Sequence, residues 1–81
     1  MRVRSLFFAS YRDLAGTPEL AVELHASASV SDLVEHLRRP GSPLAALPER
    51  PAVAVNMEYA PLATALRDGD VVAFIPPVAG G

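Results

Sequence analysis

The stretch Ser29-Val30-Ser31-Asp32-Leu33-Val34-Glu35-His36-Leu37-Arg38-Arg39-Pro40-Gly41 decides the fold. Val30, Leu33, Val34 and Leu37 fall at i, i+3, i+4 and i+7, which lines one face of a helix with apolar side chains. Ser29 with Asp32 three residues on matches a capping box, in which the side chain of each bonds the backbone N–H of the other. Arg38 and Arg39 suit the negative end of the helix, and Pro40-Gly41 stops it near Arg39. One amphipathic helix needs one apolar surface to cover, so the flanking segments should supply a sheet.

They do. Val3 to Phe8 is rich in β-branched and aromatic residues, and parity places Val3, Ser5 and Phe7 on one face and Arg2, Arg4, Leu6 and Phe8 on the other. Ala9 to Pro18 carries Asp13, Gly16 and Pro18 and reads as a connecting loop. Glu19 to Leu24 then alternates, with Leu20, Val22 and Leu24 predicted inward and Glu19 and Glu23 outward, as a hairpin partner of the first strand. Beyond the helix, Gly41 to Pro51 reads as a proline-rich loop with one irregular turn at Leu44-Ala45-Ala46-Leu47 and no expected chemistry. Ala52 to Asn56 reads as a buried strand and Met57 to Ala60 as a short one. Arg67-Asp68-Gly69-Asp70 reads as a tight turn, and Val71 to Ile75 as the last strand. The order ββαββ, with one extra short strand, predicts an α+β domain over residues 1–75.

Composition agrees with this small design. With 81 residues, 51% of them apolar, the chain has room for one modest core and for no deep enclosed active site. Seven basic residues against nine acids give a net charge of −2, which offers no support for nucleic-acid binding. No apolar stretch approaches the ~20 residues of a membrane span, and no signal-peptide pattern opens the chain, so a cytoplasmic protein is expected. There is no cysteine, hence no disulfide, thiolate metal site or thiol nucleophile. His25 and His36 lack a third ligand nearby, and no metal site is expected. All seven basic residues are Arg and none is Lys. Two readings stay open: codon bias or thermal adaptation, or the exclusion of a primary amine from the neighbourhood of an activated acyl group.

The last six residues, Pro76-Pro77-Val78-Ala79-Gly80-Gly81, carry the functional signal. Pro76 and Pro77 cannot join a ladder and favour extended backbone, so residues 76–81 are expected to form a projecting tail that is flexible at its Gly-Gly end. Six residues reach about 20 Å. Two residues without side chains fit a slot too narrow for a Cβ. The reactive group at the end is the α-carboxylate of Gly81, which becomes an acyl donor when a partner converts it with ATP to an acyl-adenylate. Carrying an acyl or sulfur group is the role this predicts.

Two blocks give the chain a family resemblance: Leu6-Phe7-Phe8-Ala9-Ser10-Tyr11-Arg12-Asp13-Leu14-Ala15-Gly16, and Leu66-Arg67-Asp68-Gly69-Asp70-Val71-Val72-Ala73-Phe74-Ile75-Pro76-Pro77-Val78-Ala79-Gly80-Gly81. Together they resemble the small, sulfur-carrying subunit of molybdopterin synthase. The wider group includes the thiamine-pathway carrier and ubiquitin-related modifiers. The resemblance implies a ubiquitin-like β-grasp fold, a mixed sheet packed on one main helix. It implies that an E1-like enzyme adenylates Gly81 with ATP and that a sulfur donor system converts the adenylate to a thiocarboxylate. The tail then enters the large synthase subunit, in a heterotetramer, and passes sulfur to a cyclic pyranopterin precursor to build the molybdopterin dithiolene. By this carry-over Gly81 bears the sulfur, Gly80 gives clearance, and Ala79, Val78, Pro77 and Pro76 complete the tail. The chain itself would bind no cofactor and turn nothing over alone. A carrier for another, thiamine-type pathway and a modifier conjugated to lysines are the alternatives.

Parity leaves an apolar remainder. Val3, Phe7, Val72 and Phe74 are expected in the core, and Leu6, Phe8, Ala73 and Ile75 in an exposed docking patch at the root of the tail, unless loops cover both faces. Arg12, placed in the first hairpin loop and matching the family's arginine there, either pairs with a partner's acid or is solvated. Asp68 and Asp70 are expected to serve their glycine turn.

Overall fold

The structure is a computed structural model and describes residues 1–77. Seven elements follow one another: β1 (Arg2–Phe7), α1 (Ala9–Ala15), β2 (Glu19–Glu23), α2 (Val30–Leu37), β3 (Ala52–Val55), β4 (Glu58–Ala60) and β5 (Val71–Ile75). The strands form one five-stranded sheet in the order β2-β1-β5-β3-β4. β1 pairs parallel with β5, and every other pairing is antiparallel. This is the mixed sheet of a ubiquitin-like β-grasp domain.

α2 forms as its sequence dictates. The Ser29 side chain accepts from the Asp32 backbone N–H at 3.3 Å, and the Asp32 carboxylate accepts from the Ser29 backbone N–H at 2.8 Å. That second bond holds the Asp32 carboxyl below the usual carboxylate range, against the opposing effect of desolvation. Val30, Leu33, Val34 and Leu37 are all buried on the sheet, against Val3, Phe7, Val22, Val53, Val72 and Phe74. The helix stops at Leu37, with Arg38 as its C-cap, slightly before the predicted Arg39.

Two sequence expectations need correction, and a third segment, irregular as predicted, also enters the core. Ala9 to Pro18 is not a plain loop, because Ala9–Ala15 forms α1. Its buried Tyr11 and half-buried Leu14 and Ala15 recur at helical spacing, and Gly16 closes it at φ +76 with its N–H on the Arg12 carbonyl. Two helical turns are too short for periodicity to stand out from a loop. Next, Leu20, predicted inward, is 38% exposed on the edge strand β2, where it lines an open depression with Ala15, Leu37 and Leu44. Finally, the Gly41–Pro51 segment is part of the core. Leu44 and Leu47 are 1% and 2% exposed, and Arg38 Nε donates to the Leu47 carbonyl at 2.7 Å.

The Arg67–Asp70 turn clips β1 in place. The Asp68 carboxylate accepts from the Arg2 N–H at 2.8 Å, and Gly69, at φ +86, donates to the Arg2 carbonyl. Asp70 accepts from the Arg67 N–H and from the Asn56 side chain. Both aspartates therefore serve the turn, as expected.

Candidate functional site

The parallel β1–β5 ladder determines what lies at the root of the tail. Phe7 and Phe74 are register partners that point into the core. Leu6 and Ala73 pair one step earlier and point to the opposite face. Ala73 pairs in turn with Ala54, and Ala54 with Tyr59, so Leu6, Ala73, Ala54 and Tyr59 form one row across four strands on the outer face. Ile75 and its partner Ala52 form the next row toward the tail.

Phe8, still in extended backbone at φ −121 and ψ 154, keeps the alternation of β1 and is 47% exposed. Tyr59 is 77% exposed, while Leu6, Ala73 and Ile75 are half-buried. Thus Leu6, Phe8, Ala73 and Ile75 share the outer face as parity requires, with Phe8 the most exposed of the four. Tyr59 and Ala54 were missed by sequence reasoning. Their place beside Ala73 comes from pairing of β3 with β5 and β4, which no local pattern announces.

The β1–β2 half of the same face is charged. Arg2 Nε meets Glu23 Oε1 at 2.7 Å directly across the ladder. Arg4 reaches diagonally to Glu19 with Nε–Oε2 at 3.0 Å and Nη2–Oε1 at 3.2 Å. The hydrogen bonds and opposite charge of this pair lower the Glu19 carboxyl and raise the Arg4 guanidinium. Both pairs are exposed, so each contributes little to stability. Their geometric effect is to border the apolar row with charge that is already partnered.

Pro76 is half-buried and Pro77 exposed. They flank a shallow depression of about 360 Å³ that Tyr11, Pro48, Arg50, Pro51 and Ile75 also line. The tail positions Val78, Ala79, Gly80 and Gly81, to which the sequence assigns the carrier chemistry, lie outside the described residues. Arg12 is exposed on α1 rather than in a hairpin loop, and forms no ion pair among the described residues. His25 Nε2 lies 3.6 Å from Asp32 Oδ2 at the other end of the domain. Among the described residues no three His, Cys, Asp or Glu side chains gather into a metal-binding group. No helix among them is long and apolar enough to cross a membrane.

A small domain with this mixed sheet and an apolar outer face beside its outgoing C-terminal strand belongs to the ubiquitin-like β-grasp class of fold. Comparison with known proteins narrows it. Residues 5–81 match the model of the ThiS family, and the chain belongs to that family. It is 42% identical to the molybdopterin synthase sulfur carrier subunit of Mycobacterium tuberculosis, covering 100% of this chain and 99% of that one. It is 36% identical to the subunit of the same name from Chlamydomonas reinhardtii, covering 100% of both. Among solved structures, SAMP1 of Haloferax volcanii superposes with a TM-score of 0.86 at 28% identity over 100% of both chains. A chain of the complex of subunits 1 and 2 of the molybdopterin-converting factor of Helicobacter pylori superposes at 0.71 with 27% identity, again over 100% of both.

Proposed function

We propose that this chain is the sulfur carrier subunit of a molybdopterin synthase. The observation that carries the reading is the full-length likeness to sulfur carrier subunits, joined to a fold that places an uncovered apolar row beside the root of a Gly-Gly tail. In this reading the Gly81 carboxylate attacks the α-phosphorus of ATP on an E1-like enzyme, and pyrophosphate leaves. A sulfur donor then displaces AMP at the acyl carbon and gives a thiocarboxylate. Inside a large synthase subunit, the thiocarboxylate sulfur attacks a carbon of the cyclic pyranopterin precursor, and a carbon–oxygen bond there breaks, its oxygen leaving as phosphate or water. Water then cleaves the acyl–sulfur bond and returns Gly81 as a carboxylate.

The tail residues Pro76, Pro77, Val78, Ala79 and Gly80 supply reach and clearance. Phe8, Leu6, Ala73, Ile75 and Arg12 form the docking surface, to which Tyr59 and Ala54 belong by register. Partner side chains do the chemistry on the precursor, since the depressions among the described residues are open surface hollows with no cluster of catalytic side chains. The complex of subunits 1 and 2 of the H. pylori molybdopterin-converting factor supports a large-subunit partner; assembly as a heterotetramer is part of this proposal.

A dithiolene needs two sulfurs and each tail delivers one, so every product should consume two thiocarboxylated chains. The test is a limiting titration of thiocarboxylated chain into large subunit and precursor, following the intact mass of this chain. Product without loss of the terminal sulfur, or product formed catalytically from a trace of it with no recharging system, would refute the mechanism. The likeness to SAMP1, a small archaeal modifier protein, favours one second reading, in which Gly81 is conjugated to lysines of other proteins. An isopeptide ladder on other proteins distinguishes it.

A further inference from the structure

An activated Gly81 carbonyl is open to any primary amine within reach, and the placement of amines on this chain is unusual. The 81 residues contain seven arginines and no lysine. The α-ammonium of Met1 is therefore the one primary amine among these 81 residues. It is pinned: the Met1 N-terminus donates to the Leu24 carbonyl at 2.7 Å, and the Leu24 N–H donates back to the Met1 carbonyl at 2.8 Å, which extends the β1–β2 ladder by one pair.

The parallel pairing of β1 and β5 sets the distance. Phe74 is level with Phe7, so Ile75 stands level with Phe8, and Met1 lies seven residues back along the same direction. At ~3.3 Å per strand residue that separation is about 23 Å. The six residues after Ile75 span at most about 20–22 Å, and the fixed φ of Pro76 and Pro77 favours an extended root. The contour of the tail is shorter than the straight line it would have to cover.

We infer that the chain is a one-directional acyl donor, unable to consume its own activated terminus. Its single amine is tied into the sheet at the pole opposite the tail, and every basic side chain is a guanidinium. The reaction so prevented is attack of an amine nitrogen on the Gly81 carbonyl carbon, with loss of AMP or thiol and of one proton. The same placement leaves no lysine on which a second copy could be joined, so chain-on-chain polymers should not form. This rests on the carrier reading for its biological meaning, though the chemistry can be tested without the activating enzyme.

Intein thiolysis gives the full chain as a C-terminal thioester by chemical means, and intact mass then follows its fate. The wild-type thioester should yield only free acid, and added hydroxylamine should convert it fully to the hydroxamate, showing that the terminus is reactive. Arg50→Lys places an amine beside Pro76 and Pro77 and should give a lactam, lighter than the free acid by one water. Arg67→Lys, in the turn that clips Arg2 far from the root of the tail, should give much less lactam than Arg50→Lys. Lactam or covalent dimer from the wild type, no lactam from Arg50→Lys, or equal lactam from both variants would each overturn the inference. Failure of the carrier reading shows elsewhere, as absence of thiocarboxylate with ATP, activating enzyme and sulfur donor.

Discussion

Phe7 and Phe74 face each other across the parallel β1–β5 ladder with ring centroids 5.5 Å apart and planes inclined at 31°. Both rings are buried, and the pair locks the strand that begins the domain to the strand that ends it. One residue further on, the alternation turns Phe8 and Ile75 to the outer face, beside the departing tail. The innermost aromatic contact of the core and the apolar root of the tail are thus two consequences of one register.

Phe8→Asp should separate binding from folding. At 47% exposure a carboxylate there stays solvated, so the thermal midpoint should change little. Loss of the ring from an interface removes roughly 1.5–3 kcal/mol of transfer free energy, about a tenfold to hundredfold weakening. Tyr59→Asp should behave alike if the row across the sheet is one surface. Circular dichroism with a binding titration against the large subunit checks both, and unfolding of either variant would place that residue in the core.

Deleting Gly81, or adding one residue after it, should leave thermal stability nearly unchanged and abolish thiocarboxylate formation. The carboxylate would then miss the nucleotide on the activating enzyme. Intact mass after incubation with ATP, activating enzyme and sulfur donor reads the outcome; full conversion of either variant contradicts the carrier role of Gly81.

Ser29→Ala should cost about 1 kcal/mol, the usual value of an N-cap side chain, measured by urea denaturation. The capping partner adds a pH signature. Asp32 has a folded pKa below its unfolded value of about 3.9, so its contribution is present above that pH and is lost as pH falls through the depressed folded value. Asp32→Asn should therefore flatten the acid side of the stability profile, and an unchanged slope below pH 4 would count against the backbone bond from Ser29.

Leu47→Ala should destabilise the domain by about 2–5 kcal/mol, as for a buried leucine in any core, although it lies in an irregular segment. A change below about 0.5 kcal/mol in denaturant unfolding would mean that this segment lies outside the cooperative core.

Met57→Gly should stabilise by about 0.5–1 kcal/mol. Asn56 and Met57 form the two-residue turn between β3 and β4 at φ +50 and +74, where Asn is tolerated and Met is strained. At 96% exposure the Met57 side chain contributes no burial that the change would lose. A fall in the thermal midpoint would show that the turn does not hold this geometry.

What the amino-acid order determined alone was whatever rests on contacts within a few residues. α2 and its cap follow from four apolar positions and the Ser29–Asp32 pair, and the split of β1 and β5 into core and outer faces follows from the alternation of a strand. The tail signal, Pro76-Pro77 leading to Gly80-Gly81, is likewise covalent and local. Only the tertiary structure decided the strand order, the parallel partnership of β1 with β5, the entry of Leu44 and Leu47 into the core, and the row that aligns Leu6, Ala73, Ala54 and Tyr59 across four strands. Those contacts join residues tens of positions apart. Their free energy comes from burial and ladder hydrogen bonds that exist only once the sheet has assembled, so no local spacing records them. α1 falls between the two cases: its Tyr11, Leu14 and Ala15 carry helical spacing, but two turns become a helix only because the core has room for the Tyr11 ring.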